Sequence, residues 1–364
     1  MSNSEMTRRQ FVRDGAMAVA GLTAGVSAVR TAEAANRKIL NFNENMEYRR
    51  LGKTGLLVSA VCLGGHWKRL DTIVPGLFKE GGGWMEVNES TRADLDKNRH
   101  EILSRCIEVG INYVDACSAH EVIAYGRAIK GRREKIYFGY SWSEKEMREA
   151  PWRTASKLLQ SLEEGLKEAG LDYVDLWRVT MLEQSGKHTE GELEEMIKAL
   201  ETAKKQGKAR FTGLSSHDRP HIKWMIEKYP QFVEVVLTPY TAKSKELPAD
   251  SLFESVQKHN VGVFGIKPFA SNALFKGDST LQSLDAEEDD RRAREAIRYI
   301  LCNPAITAPI PGLINAHQVD NVAKAVQERR KLDVAEAQHL EMAMNEAWEK
   351  LPADYQWLKK WEYV

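Results

Sequence analysis

Asp115 and His120 stand five positions apart, just after the apolar run INYVD at residues 111–115. An imidazole titrates near neutrality, and a carboxylate beside it can orient the ring or raise its proton affinity, so the spacing reads as an acid–base pair. The plainer alternative is a loop histidine held by hydrogen bonds. Other reactive side chains also follow short apolar runs: His66, Ser141, Thr180, Glu183, Ser216, His217 and Lys267. Lys267 can meet a phosphate as a point charge, or else close a salt bridge. Trp67, Trp84 and Trp142 offer flat rings suited to a sugar or an aromatic substrate. His66, His120, His217 and Glu183 are of types that bind zinc, but they come from separate segments without the short spacing of a metal motif. No metal is expected.

These residues can meet only if the apolar runs end at one place. The runs fall at 59–63, 111–115, 135–140, 173–179, 210–214, 233–237, 261–266 and 306–310. Amphipathic stretches at 99–109, 154–169, 192–206, 291–301 and 315–329 alternate with them, and several close on a glycine, as Gly110, Gly170 and Gly207 show. Eight strands with helices between them predict an α/β fold of the (β/α)8 TIM-barrel type, whose sites lie at the C-terminal strand ends. An open doubly wound sheet would carry GxGxxG after its first strand, and none is there. An insertion at about 68–92, an extra C-terminal helix at 335–350 and an aromatic tail at 355–364 complete the reading.

Bulk properties add limits. The 364 residues carry 52 basic and 52 acidic side chains, a balance that gives no support to a nucleic-acid partner. The four cysteines form no CxxC pair. At the N-terminus Arg8 and Arg9 precede Phe11, a small-residue apolar run at 16–29, and Ala32-Glu33-Ala34. That order is a secretory signal and too short for a stable membrane span. The arginine pair resembles a twin-arginine (Tat) signal. It implies residues 1–34 as a signal peptide cleaved near Ala34, the Tat translocon as a partner during export, and a periplasmic or other extracytoplasmic protein at 35–364. Because that route moves folded proteins, it suits an enzyme that keeps its cofactor.

Six segments in order resemble the aldo-keto reductase superfamily: YRRLGKTGLLVSAVCLGGHW, GINYVDA, AGLDYVDLWRV, GKARFTGLSSH, GVFGIKPFASNAL and ITAPIPGLINAHQVDN. The resemblance implies a barrel opened by an N-terminal hairpin, with tightly bound NADP(H) or NAD(H). It also implies an oxidoreductase acting on the carbonyl or alcohol of a small molecule, such as a sugar. The family's catalytic set is an aspartate, a tyrosine, a lysine and a histidine. Asp115 matches the aspartate, while the other three positions hold His120, Ser141 and Thr180. The reading therefore makes Asp115 and His120 catalytic, with Tyr125 and Tyr140 the nearest tyrosines. The positions for the nicotinamide hold Ser215 and Ser216, followed by Leu237 and Thr241 in the next segment. Lys267, Gly312, Gln318 and Asn321 resemble the positions for ribose, phosphates and adenine. His66, Trp67, Ser141, Trp142, Thr180 and His217 are the expected substrate contacts. Two rival readings stay open: an acid–base or metal-assisted enzyme on the same barrel, and a binding protein without catalysis.

Overall fold

The computed structural model describes residues 39–78, 87–244 and 251–360. The expected signal peptide at 1–34, Trp84 and the glycines 81–83 lie outside these residues.

Two short strands, β1 (Tyr48–Arg50) and β2 (Leu57–Ser59), pair antiparallel with Tyr48 opposite Ser59. The turn between them holds Leu51 and Leu56, which pack with Val58 against Tyr113, Leu176 and Phe264 inside the barrel. Lys53 N–H donates to the Asn260 carbonyl at 2.6 Å, so the hairpin covers the end where strands begin. The far end is left open for a site.

Seven parallel strands follow in chain order: β3 (Tyr113–Ala116), β4 (Tyr137–Tyr140), β5 (Val174–Thr180), β6 (Ala209–Ser215), β7 (Val235–Pro239), β8 (Gly262–Ile266) and β9 (Ala308–Pro309). Residues 62–64 close the ring. Leu63 bridges to Val114 on one side, and Gly64 bridges to Gly312 on the other. The run expected as one strand at 59–63 is thus divided between hairpin and seam. Gly64 is required there, because a Cβ would sit 2.3 Å from the Ile310 carbonyl oxygen.

The helices are α1 (Glu89–Glu108), α2 (Ala119–Ala128), α3 (Ala155–Ala169), α4 (Glu190–Lys205), α5 (Arg219–Lys228), α6 (Leu252–Lys258), α7 (Ala286–Leu301), α8 (Ala316–Gln327) and α9 (Val334–Glu349). Helix α3 shows how local sequence sets them. Thr154 caps its start, Leu158, Leu162 and Leu166 recur every four residues on its buried face, and Gly170 ends it at φ 67°. Helices α5 and α6 were not legible as periodic stretches; α6 has only seven residues, and α5 opens on Asp218 and Pro220. The extra helix α9 packs beside α7 through Arg298–Glu336 (2.8 Å) and Arg292–Glu346 (3.0 Å) ion pairs. It delivers a 3-10 segment, Ala353–Lys360, across the open end of the barrel. Leu351, Tyr355 and Leu358 anchor that segment on Ala270. No helix among the described residues is long and apolar enough to cross a membrane.

Candidate functional site

The C-terminal strand ends enclose a cup of about 300 Å³. Asp115 on β3 and Arg178 on β5 form its floor, both nearly fully buried. Arg178 grips the carboxylate with two nitrogens, Nη2 on Oδ2 and Nε on Oδ1 at 3.2 Å, and the Tyr113 hydroxyl also donates to Oδ1 at 3.2 Å. Burial pushes the Asp115 carboxyl above its ordinary value against the opposing pull of Arg178. A guanidinium stays charged even here, and the forked contact holds the pair as ions. Arg178 Nη1 goes on to Thr180 Oγ1 (3.0 Å) and Cys117 Sγ (3.6 Å).

A second buried chain starts at Thr180. Its hydroxyl lies 2.7 Å from Ser141 Oγ, which donates to Glu146. The same carboxylate accepts the Thr180 N–H (2.7 Å) and Trp177 Nε1–H (3.0 Å). Burial raises the Glu146 pKa, with those three hydrogen bonds working against it. Ser141 and Glu146 are sealed from solvent, whereas Thr180 faces the cup.

Opposite stand His217, at the end of β6, and Lys267, at the end of β8, with Nζ 3.3 Å from Nε2. The His217 ring stacks on Trp357 of the C-terminal segment, with centroids 4.3 Å apart. Burial, then Lys267 and Arg148, push the His217 pKa far down, so the ring is neutral. Burial also lowers Lys267 to about 8. Lys267 has φ 58°, and Ala270, Ser271 and Asn272 are left-handed in succession. Such backbone costs about 1–3 kcal/mol per residue and tends to cluster at ligand sites.

Past Lys68, Phe269, Asn272 and Gly312, which line both cavities, the cup runs into a narrower groove of about 60 Å³. Gln318 and Asn321 line this groove. Gln318 Oε1 accepts the Ile314 N–H, and Asn321 Oδ1 accepts from Arg294 at 2.6 Å.

The structure therefore gathers Asp115, Thr180, His66, His217, Ser215, Lys267 and Gly312 in the cup, with Ser141 directly behind Thr180. It does not gather the rest. His120 lies in the first turn of α2, outside the cup, with Nδ1 buried and unpartnered. Ser118 caps α2 only three residues after Asp115, so no loop remains to carry residue 120 back over the floor. The expected Asp115–His120 pair is replaced by Asp115–Arg178. Trp67 is a core residue: its Nε1 reaches the Gly64 carbonyl and Tyr125 hydroxyl, and Arg99 lies 4.1 Å over its ring. Trp142 lies outside the cup against Lys145. Ser216 turns to Ser185 Oγ at 2.8 Å. Tyr125 and Tyr140 donate to the Gly64 and Ser161 carbonyls, away from the cup. His66 is held by Glu121, which accepts its N–H at 2.6 Å and the Cys117 N–H at 2.7 Å. Sequence reasoning missed Arg178, Glu146, Arg148, Tyr355 and Trp357. A signal for Arg178 was present: it shares the inward phase of Leu176 and Thr180 in an apolar strand, where only a partnered charge survives.

The family model described as the aldo/keto reductase family matches residues 72–344. Among curated proteins, L-glyceraldehyde 3-phosphate reductase of Escherichia coli K12 is 26% identical over 251 residues, covering 63% of this chain and 63% of that protein. The match thus spans less than two thirds of that reductase. L-galactose dehydrogenase of Arabidopsis thaliana is 23% identical over 309 residues, 79% of this chain and 90% of its own. The holo form of aldo-keto reductase AKR11C1 from Bacillus halodurans superposes with TM-score 0.58 at 21% identity, covering 82% of this chain and 96% of its own. With a barrel of this strand order, a cup at its C-terminal ends and the family match across most of its length, the chain belongs to the aldo/keto reductase family.

Proposed function

We propose that the barrel is an NAD(P)-linked oxidoreductase that interconverts a small polar carbonyl compound and its alcohol. The observation that carries this reading is the cup itself, floored by Asp115–Arg178 and continuous with the Gly312–Gln318 groove. The shape and donor set fit a dinucleotide laid from cup to groove. Lys68 offers positive charge where the two cavities meet, Lys267 does so within the cup, and Arg148 keeps a buried Nε without a hydrogen-bond partner in a residue that lines the cup. When bound, the nicotinamide would supply or take up a hydride.

The chain's own residues would handle the proton. Thr180 Oγ1 faces the cup and accepts from Arg178, so its hydrogen is directed at Ser141 or a substrate oxygen. Burial raises the Glu146 pKa, and the Ser141 hydroxyl, donating to Glu146, links that carboxyl to Thr180. Ser141 and Thr180 stand at the positions of the family's lysine and histidine. Trp357 and Tyr355 cover the mouth and exclude water, which strengthens every charge interaction inside. The relatives' names, a triose-phosphate reductase and an L-galactose dehydrogenase, favour a polyhydroxylated substrate. The signal at 1–34 favours export with the cofactor retained.

Heat denaturation of protein purified from an exporting host should release a dinucleotide detectable by mass spectrometry. A panel of aldoses and small hydroxyaldehydes should then oxidise added reduced dinucleotide, followed at 340 nm. No released dinucleotide and no binding of added dinucleotide would sink the reading. Lys267 beside neutral His217 supports a second reading, carbonyl chemistry by the amine without hydride. Borohydride trapping of a carbonyl compound on Lys267, with no dinucleotide bound, would favour it.

A further inference from the structure

The groove that leaves the cup past Gly312 ends between α7 and α8, among Leu281, Ala286, Asp289, Asp290 and His317. We infer that the dinucleotide accepted here is NAD(H) and that the carboxylates at this end, Asp290 above all, exclude NADP(H). The inference rests on the dinucleotide reading and adds the identity of the nucleotide.

Charge is divided along the groove. At the end shared with the cup stands Lys68, its ammonium paired with Asp354 at 2.8 Å, beside the left-handed turn at residues 270–272. Among the described residues that line the other end there is no lysine or arginine. The neighbouring arginines are committed elsewhere. Arg69 holds the Gly277 and Asn272 carbonyls and Ser279 Oγ, and Arg294 holds Asn321 Oδ1 and Glu328. Asp289 accepts the N–H groups of Lys276 (2.7 Å) and Gly277 (2.9 Å), which fixes it against the covering segment. Asp290 is partly exposed, with one oxygen 2.6 Å from His317 Nε2.

A ribose 2′,3′-diol brings two hydroxyl donors, and a carboxylate acceptor suits them. A 2′-phosphate brings nearly two negative charges at neutral pH and needs an arginine or lysine. Placed beside Asp289 and Asp290 it would meet like charge where it needs a cation. The polarity therefore suits a dinucleotide whose pyrophosphate lies at Lys68 and whose adenosine ends in a free diol.

The test uses nucleotide-free protein titrated with NADH and with NADPH, followed by nicotinamide fluorescence. NADH should bind at least tenfold more tightly. Asp290→Asn keeps an acceptor for His317 and removes the charge. It should tighten NADPH at least fivefold and weaken NADH at least twofold, because an amide oxygen is a poorer acceptor for the diol than a carboxylate. NADPH binding as tightly as NADH, or no gain for NADPH in either Asp290→Asn or Asp289→Asn, overturns the inference and leaves the dinucleotide site standing. Binding of neither nucleotide overturns both.

Discussion

The guanidinium of Arg178 has no solvent to return to, so its partners decide the floor of the cup. Arg178→Ala would leave Asp115 buried with its charge unmatched, a loss of about 3–5 kcal/mol measurable by urea unfolding. Arg178→Met with Asp115→Leu should lose far less, because both charges go together. Thr180→Val removes the hydroxyl that faces the cup and nearly keeps its volume. Turnover of the best carbonyl substrate should fall by about 10²–10⁴ with unchanged dinucleotide binding; a fall below tenfold would remove Thr180 from proton transfer. Lys267 carries the pH signature. Its folded value, about 8, lies below its ordinary 10.5, so the folded state binds fewer protons between those values. Its contribution to stability is complete above 10.5 and is lost as pH falls through 8, on the order of 3 kcal/mol in the nucleotide-free protein. Lys267→Met should erase that slope in unfolding measured from pH 7 to 11. At this scale Asp115, Thr180, His217 and Lys267 were legible because polar residues ending apolar strands converge in a barrel. His120 was misread because family spacing assumes a loop that this chain lacks.

Elements decide which of those residues are presented. The 3-10 segment Ala353–Lys360 is held by Leu351, Tyr355 and Leu358 on Ala270 and by the Lys68–Asp354 pair at 2.8 Å. Its main effect on the site is to lay Trp357 over His217. Trp357→Ala should let water reach the imidazole, and the His217 pKa should rise toward its ordinary 6.5, since burial is the first cause of its depression. A histidine NMR titration would show it; an unmoved resonance would mean that Lys267 and Arg148, not the indole, hold the ring neutral. Local signals made α3 and α4 plain through their apolar spacing and the glycines that follow them, Gly170 and Gly207, while the Thr189–Glu192 capping box starts α4 two residues before the expected 192. Nothing local announced that residues 353–360 would fold back over the mouth. That placement comes from α9 docking on α7, a long-range consequence of the Arg298–Glu336 and Arg292–Glu346 pairs.

At the scale of the whole molecule, the cup exists only because the sheet closes. Closure depends on a short seam: Leu63 N–H to the Tyr113 carbonyl (3.0 Å), Asp115 N–H to the Leu63 carbonyl (2.8 Å), and Gly64 N–H to the Pro311 carbonyl (2.8 Å). The seam also sets the site, since Asp115 lies on one side of it and Gly312 on the other. Gly64→Ala would press a methyl against the Ile310 carbonyl oxygen, an obstacle of backbone that no rotamer change can clear. Either the seam opens or the β9 end shifts, at a cost of about 1–3 kcal/mol or more. The expected result is a lower urea midpoint together with weaker dinucleotide binding, because the shift displaces Gly312 where cup and groove join. Gly55→Ala supplies the comparison: its left-handed residue, φ 72°, has open space around the added carbon. Strain there should lower stability without touching nucleotide affinity, since Gly55 lies in the hairpin at the opposite end of the barrel. Equal loss of affinity in both variants would mean that global stability, and not the seam, positions the groove.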